Sequence, residues 1–369
     1  MEPSDRYPAL DVLRGTTIAL MILVNTPGSW QYVYAPFEHS AWHGCTAADL
    51  VFPFFLFAAG VSLFFSQAQY QNALSRQSLW RVGRRTLLIF IIGLFINSYP
   101  QWLTDYAHLR IMGVLQRIAL AYGLAALLVL CVPRRLLPGA GAFILLAYWG
   151  ILYFFGGSDP YSLSGNATIP LDRAILGESH LYRGFGIPFD PEGILSSLPA
   201  AVTVVIGYLA GRMLCETEIG RVPLGLMFHG LAAVFAGYVW GYVFPINKPL
   251  WTSSYVLYTA GLAALAFAVL IYIIEQKGYR KWTVLFSVFG MNPLFLFVLS
   301  ILWGKTLRQV IGIPAGDGTA TAGSTWVYQN MFVPWAGLMN GSLAYALTHV
   351  VLIWLVGYAL FKLRIFIKV

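Results

Sequence analysis

The sequence predicts an all-α polytopic membrane protein, a bundle of about ten transmembrane helices, from its composition and from the lengths of its apolar runs. Hydrophobic residues make up 58% of the 369 residues and charged residues only 10%, against roughly 25% charged in ordinary globular domains. Such a chain lacks the polar residues to cover a soluble surface. Its aromatic content of 16% suits belts of Trp and Tyr at both membrane interfaces. We expect a single transmembrane domain over residues 1–369.

The charge and the cysteines exclude two other classes of function. The formal net charge is +8, but Lys and Arg are scattered between apolar runs, as in the cytoplasmic loops of membrane proteins, so we expect no nucleic-acid partner. Cys45, Cys131 and Cys215 lie far apart, without the spacing of a metal site. The N-terminus lacks the basic region of a signal peptide, so the first apolar run is predicted to be a retained helix.

Ten apolar runs have about the 20 residues that a spanning helix needs. They lie near residues 9–26, 49–67, 83–99, 112–132, 137–155, 193–214, 224–244, 254–275, 283–303 and 342–361. The stretch 324–341 holds Pro334 and several polar residues, and it predicts an interfacial or re-entrant helix or else an extra span.

The distribution of basic residues predicts the orientation of the bundle. If the N-terminus is cytoplasmic, the loops predicted to lie inside carry arginine pairs such as Arg134 and Arg135, whereas the loop 27–48 carries no Lys or Arg. The C-terminus is also basic and is predicted to lie inside, which requires an even number of spans and favours ten. Lys305 and Arg308 are the exceptions, since this topology places them outside.

Polar side chains inside spans are costly and mark functional sites. Asp11 and Arg14 share one face of the first helix, which predicts either a structural or a functional ion pair at the cytoplasmic interface. Arg117 lies one to two turns inside the fourth helix, where it needs a partner within the bundle, and we expect that partner to be Asp49. Asn292 precedes a proline, which predicts a broken helix beside a cavity.

Two external loops are long, residues 27–48 and 156–192, and long loops of this kind usually carry function. The first contains His39, Trp42 and His43 shortly before the second helix. Two histidines four residues apart suit zinc only with a further ligand, and none is evident nearby, so we expect no metal. The alternative is that both are ordinary surface histidines.

Three further polar residues have structural alternatives. Thr46 and Asp49 fit a capping box at the start of the second helix, and Asn25 suits the C-terminal cap of the first helix. His349, in the last span, is expected to bond a neighbouring helix. On these residues alone, a transporter and an intramembrane enzyme both remain open.

Several motifs follow one another along most of the chain. They are Leu10-Asp11-Val12-Leu13-Arg14-Gly15, Asn25, His39-Ser40-Ala41-Trp42-His43-Gly44, Asp49-Leu50-Val51-Phe52-Pro53, Gly113-Val114-Leu115-Gln116-Arg117, Phe189-Asp190-Pro191-Glu192-Gly193-Ile194-Leu195 and Gly290-Met291-Asn292-Pro293. In this order they resemble the heparan-alpha-glucosaminide N-acetyltransferase family of transmembrane acetyltransferases.

The resemblance implies that acetyl passes from cytosolic acetyl-CoA to the amine of a glucosamine-type sugar on the far side of the membrane. The family's catalytic histidine falls on His39, a base or transient acyl acceptor suited to acyl transfer, and a functionally important asparagine falls on Asn25. The chain departs from the lysosomal members at His43, where they have asparagine, so the acceptor stays open. We interpret it as a bacterial relative in the inner membrane, N-in and C-in.

The remaining site residues follow from the motifs and from their predicted depth. Supporting or substrate-binding roles are expected for Asp49, Arg117, Trp42, His43, Asp190, Glu192 and Asn292. Contacts to CoA are expected from Asp11, Arg14, Arg84 and Arg85, with a purely topological role as the alternative for the last two. The expected partners are acetyl-CoA as co-substrate, an amino-sugar acceptor and the bilayer, and a homodimer stays open. An amino-sugar or lipid-linked-sugar transporter and an O-acetyltransferase of envelope glycans are the alternative functions.

Overall fold

The computed structural model describes residues 7–68, 74–101, 105–314 and 320–367. Its helices are α1 (Pro8–Asn25), α2 (Ala47–Ala68), α3 (Arg76–Ser98), α4 (Val114–Cys131), α5 (Leu137–Phe155), α6 (Thr168–Leu176), α7 (Ser197–Glu216), α8 (Val222–Trp240), α9 (Ser253–Leu270), α10 (Val284–Met291), α11 (Pro293–Lys305), α12 (Gly323–Val327) and α13 (Val333–Lys362). Wider π-helical turns extend α9 over Ile271–Gln276 and α11 over Thr306–Val310, and join α12 to α13 over Tyr328–Phe332. Two short strands, Gly312–Pro314 and Ala320–Ala322, pair antiparallel beyond α11.

The all-α polytopic fold is confirmed. Within the described residues, eight helical segments are long and apolar enough to cross a membrane, and a ninth forms if the bent pair α10 and α11 counts as one span. The remaining predicted span, 83–99, coincides with α3, whose first half carries four arginines. A helix therefore lies at every one of the predicted spans.

Backbone-to-backbone contacts at glycines hold the centre of the bundle. A methyl group on Gly207 of α7 would lie 2.0 Å from the carbonyl oxygen of Phe57 in α2, and one on Gly60 would lie 2.0 Å from that of Val204. Small residues allow helices to approach this closely in a membrane, where dispersion contacts and not water exclusion drive association. The α2–α7 pair thus forms the rigid centre against which α4 and α9 pack.

The broken helix predicted at Asn292 is confirmed, because α10 and α11 meet there at 71°. The amide of Asn292 is buried and bonds the C-terminal segment: its Nδ2 donates to Ile365 O at 3.0 Å and its Oδ1 accepts from Ile367 N at 2.8 Å. Gly290 lies against the backbone of Asp11, so α10 crosses α1 near its start. The side chain of Asn292 at the break therefore binds the C-terminal segment.

The ambiguous stretch 324–341 forms one arm of a helical hairpin. Gly337 has φ 75°, a conformation that glycine adopts readily, and the chain reverses there. The rings of Phe332 and Tyr345 then meet at 5.8 Å, and Tyr328 donates a hydrogen bond to Leu338 O. The first arm is too short to cross the hydrocarbon core, which needs about 20 residues.

The first arm of the hairpin and the two long loops lie at the end of the bundle where α1 ends and α2 begins, called here the loop end. Lys305 reaches that end and donates to Ile96 O and Tyr99 O, which satisfies the last carbonyls of α3 and complements its dipole. Asp11 and Arg14 form the predicted ion pair at the opposite end. The placement of Lys305 is thus explained by a helix cap.

The close α2–α7 contact generates a stability prediction. Gly207→Ala should lower the unfolding midpoint by about 1–4 °C, because overpacking costs roughly 1–3 kcal/mol. Gly83→Ala is the matched control, since a methyl group there meets nothing within 4 Å and alanine favours helix. Thermal melts of the purified protein in detergent measure both, and equal midpoints for the two variants would contradict this packing.

Candidate active site

His39, which is partly exposed, and Asp49, which is buried, form a hydrogen-bonded pair at the loop end. The Nδ1 atom of His39 lies 2.8 Å from Asp49 Oδ1, with 40% of the imidazole exposed and the carboxylate fully enclosed. A carboxylate only accepts hydrogen bonds, so Nδ1 carries the hydrogen and Nε2 is left as the free, basic nitrogen. The pair fixes the tautomer and the orientation of the ring.

The two oxygens of Asp49 have different tasks. Oδ2 accepts from the backbone amides of Ser40 and Thr46 and from the hydroxyl of Thr46, all at 3.1 Å, which closes the predicted cap at the start of α2. Oδ1 is the atom that faces His39. Asp49 therefore caps α2 with one oxygen and faces the imidazole of His39 with the other.

Lys248 is the residue of this cluster that the sequence did not reveal. Its Nζ lies 3.2 Å from Asp49 Oδ1 and 3.1 Å from His39 Nδ1. The neighbouring Asn247 is fully buried and donates to Trp42 O at 2.9 Å, which ties the α8–α9 loop to the histidine loop. In the sequence, Lys248 is a single lysine in a predicted external loop, and such a residue informs the membrane topology but not the composition of a site.

Trp42 and His43 belong to the walls of the site. Trp42 donates from Nε1 to Tyr161 O at 2.8 Å and packs edge-on against Phe185 and Phe189. His43 lies beside Asn247, and partial burial lowers its pKa, a shift that Asp159 opposes. The rings join the histidine loop to the long loop between α5 and α7.

The surroundings of Cys45 favour its neutral thiol form. Burial raises the pKa of its thiol to about 12, and the nearby Asp49 carboxylate acts in the same direction. Asn25 differs, since it is exposed at the end of α1 and its side chain has no hydrogen-bond partner among the described residues. Its amide is therefore available to a ligand.

Asp190 and Glu192 bind Arg110. The guanidinium donates to both oxygens of Asp190, at 2.9 and 2.7 Å, and to Glu192 Oε2 at 2.5 Å, while Tyr182 covers its face at 4.4 Å. Burial opposes the positive charge, but the two carboxylates hold the pKa of Arg110 above its ordinary value. Both acids are thus engaged in a structural network, with only Glu192 retaining some exposure.

The predicted ion pair between Arg117 and Asp49 is wrong. Arg117 is buried, donates to Ser196 Oγ and more weakly to Gly193 O at 3.5 Å, and lies over the ring of Trp251 at 4.9 Å. The turn before α7 reaches the guanidinium first, which leaves Asp49 to the histidine loop. The sequence predicts the same depth in the membrane for Arg117 and Asp49, but different parts of the chain surround the two side chains.

Asp172 lies close to this turn and has one unsatisfied oxygen. Its Oδ1 accepts from Ile194 N at 3.0 Å, while Oδ2 and the Nε of Arg117 have no partner among the described residues. A methyl group on Gly193 would lie 1.9 Å from Oδ2, so a larger residue there would displace the Asp172 carboxylate. Burial raises the pKa of Asp172 to about 6, against the opposing hydrogen bond from Ile194 N.

The residues expected to contact CoA are remote from His39. Asp11 and Arg14 lie in the first two turns of α1, at the end opposite Asn25. Arg84 is exposed on α3, and Arg85 lies over the ring of Tyr122 at 4.6 Å. No group of three or more potential His, Cys, Asp or Glu metal ligands occurs in the described part of the chain.

Together the fold and the site define an integral membrane protein with a His–Asp–Lys cluster at one end of its helical bundle. The model of the family described as "Heparan-alpha-glucosaminide N-acetyltransferase, catalytic" matches residues 6–235. The chain belongs to this family, which confirms the resemblance seen in the motifs.

Two curated relatives carry the name heparan-alpha-glucosaminide N-acetyltransferase. The human protein is 29% identical over 351 residues, covering 79% of this chain and 52% of the relative. The mouse protein is 29% identical over 355 residues, covering 80% of this chain and 53% of the relative. The chain therefore spans about half the length of these relatives.

Asp172 gives a pH-dependent stability prediction. Because its folded-state pKa lies above its ordinary value of 3.8, its contribution to stability is full below about pH 4 and is lost as the pH rises through about 6. Asp172→Asn should flatten the decline of the unfolding midpoint over this interval. Asp159→Asn, an exposed change in the same loop, is the control, and identical slopes in wild type and Asp172→Asn would refute the assignment.

Proposed function

We propose that this chain is a membrane acetyltransferase that moves acetyl from acetyl-CoA to the amine of a glucosamine-type sugar. The observation that carries the proposal is the His39–Asp49 pair at 2.8 Å, in a chain that belongs to a family named for N-acetyl transfer. Acyl transfer to an amine needs a base near neutral pH, and an oriented histidine suits that task. Family membership favours transfer over transport.

In the proposed reaction, Nε2 of His39 takes a proton from the acceptor amine as the amine nitrogen bonds to the thioester carbonyl carbon. Asp49 stabilises the imidazolium that forms, through the hydrogen on Nδ1. When the carbon–sulfur bond breaks, CoA leaves as a thiolate and receives that proton. The products are an amide and free CoA, with atoms and charge balanced. In the alternative route, Nε2 bonds to the thioester carbonyl carbon and CoA leaves as a thiolate; the acceptor amine then attacks the acetyl-imidazole, displaces Nε2 and gives up its proton.

The oxyanion of the tetrahedral intermediate needs donors that are already in place. Lys248 is the proposed cationic donor, because its Nζ lies 3.5 Å from His39 Nε2. Asn25 is the proposed neutral donor, because its exposed amide has no partner in the described residues. Trp42 and His43 would form the wall against which the sugar binds.

The proposed direction of transfer is from the cytoplasm outward, in a bacterial inner membrane, with both termini inside. The basic residues Arg14, Arg84 and Arg85 lie away from the loop end and would meet the CoA phosphates. CoA carries several negative charges, and moving them through hydrocarbon is prohibitive. Its long pantetheine arm is mostly uncharged and would carry the acetyl group between helices toward His39.

The base is tested by His39→Ala. Acetyl transfer should fall by about 10²–10⁴-fold, while acetyl-CoA binding measured by calorimetry stays near wild type. The matched control is His108→Ala, because His108 forms the same Nδ1 contact to Asp105, also at 2.8 Å, on the exposed surface. Retention of more than about a tenth of wild-type turnover in His39→Ala would move the base elsewhere, and a similar loss in the control would point to misfolding.

The direction is tested in sealed vesicles of known orientation. Labelled acetyl-CoA supplied on the cytoplasmic side should give acetylated amino sugar only on the opposite side. Equal activity with both substrates supplied on one side, in vesicles shown to be tight, would defeat the vectorial scheme and leave the transferase assignment standing.

A further inference from the structure

A second cavity lies at the loop end, away from the residues that hold His39. Its volume is about 310 Å³, at the lower end of the range typical of small-molecule pockets. The residues after α1 form one wall, the end of α11 forms another, and the helical hairpin forms the third. Its lining includes Trp30, Arg308, Ser324, Thr325, Gln329 and His349.

Five polar side chains of this cavity have no partner within the described residues; of these, His349 is buried, Ser324 and Thr325 are half-buried, and Arg308 and Gln329 are exposed. Arg308, Ser324, Thr325, Gln329 and His349 line the space, and none of them forms a side-chain hydrogen bond or ion pair within the described residues. Buried polar groups are almost always satisfied. His349 is only 3% exposed, and its Nε2 is enclosed without a partner. The expected bond from His349 to a neighbouring helix is therefore absent, and a ligand would supply the missing partners.

The charge of the lining sets the chemistry of that ligand. Arg308 contributes a positive charge, and none of the lining residues is acidic. A guanidinium without an acidic partner matches carboxylate and phosphate oxygens. Ser324, Thr325 and Gln329 suit hydroxyl groups, and the exposed ring of Trp30 offers an apolar face at the rim.

We propose that the cavity bounded by Trp30, Arg308 and His349 is a second ligand site for a small hydroxylated anion, a uronate or a sugar phosphate of one ring. Arg308 binds the acidic group, and the hydroxyls and amide of the hairpin bind the ring hydroxyls. The site does not depend on acetyl transfer, since no residue of the His39 cluster lines it.

Calorimetric titration of the purified full-length protein tests the proposal without acetyl-CoA. Glucuronate and glucose 6-phosphate, neither of which carries an amine, are the two anionic probes, and their ranking distinguishes carboxylate from phosphate recognition. Glucose is the neutral comparison, and inorganic phosphate is the anion without a ring. At least one anionic sugar should bind about tenfold or more tightly than both comparisons, as charge-assisted hydrogen bonds imply.

Two variants test the site, one by removing its charge and the other by filling its space. Arg308→Gln removes the charge and should weaken binding of the anionic sugar by about ten- to a hundredfold. Gly304→Leu fills the space, since a Cβ there meets only Thr26, at 3.9 Å, and it should abolish binding with the charge intact. Arg173→Gln, an equal charge change at an exposed residue outside the cavity, is the control and should bind as wild type.

The outcomes that overturn the proposal are distinct from failure of the transferase assignment. Anionic sugars that bind no more tightly than glucose, or no more tightly than inorganic phosphate, refute a built sugar-anion site. Equal affinity in wild type, Arg308→Gln and Gly304→Leu refutes the location. Unchanged melting temperatures show that the variants are folded, and neither result depends on whether His39 transfers acetyl.

Discussion

The carboxylate of Asp49 is the constraint on which the loop end depends. It is fully enclosed, and a buried charge without partners is among the most costly features that a protein can hold. Its donors come from Ser40 and Thr46 in the histidine loop, from His39, and from Lys248 in the loop before α9. One charge therefore draws two loops that are distant in sequence onto the start of α2. The orientation of the imidazole follows from the need to satisfy that charge.

The rigid centre of the bundle makes this convergence possible. Tyr255 of α9 donates to the backbone oxygen of Asp49 at 2.6 Å. In addition, α2 packs closely against α7 at glycines, where no side chain separates the two backbones. A shift of α2 along α7 would move Asp49 away from Lys248. Helix packing that leaves little room to slide thus positions the cluster more firmly than loops alone would, as catalytic geometry requires.

Hydropathy predicted the spans well because crossing hydrocarbon imposes a length and a composition on every helix. The predicted span 137–155 coincides with α5, whereas the span 193–214 begins four residues too early relative to Ser197. Gly193 to Ser196 carry no charge and therefore resemble the start of a span, but they form the turn that binds Arg117. Apolar composition cannot separate a tight buried turn from the first turn of a helix.

The candidate site was predictable where its partners are close in sequence. His39, Thr46 and Asp49 lie in one short stretch, and their motif and capping pattern were visible. Lys248 and the partner of Arg117 were not, because a pairing across the bundle depends on which helices are neighbours. Hydropathy places Arg117 and Asp49 at a similar depth, but it does not show whether the two side chains face each other.

The segment after α1 connects the two functional regions of the loop end. Asn25 is proposed to act in acetyl transfer, and the next residues, Thr26 to Trp30, line the second cavity. Ser29 also exchanges hydrogen bonds with Ser342 of the hairpin, at 3.1 and 3.2 Å. A ligand that draws the hairpin toward Arg308 would therefore act on the chain directly beside Asn25. If the proposed ligand bound one position of the hairpin more tightly than another, its binding would be coupled through this segment to turnover at His39, since a ligand shifts an equilibrium only by its difference in affinity for the two states.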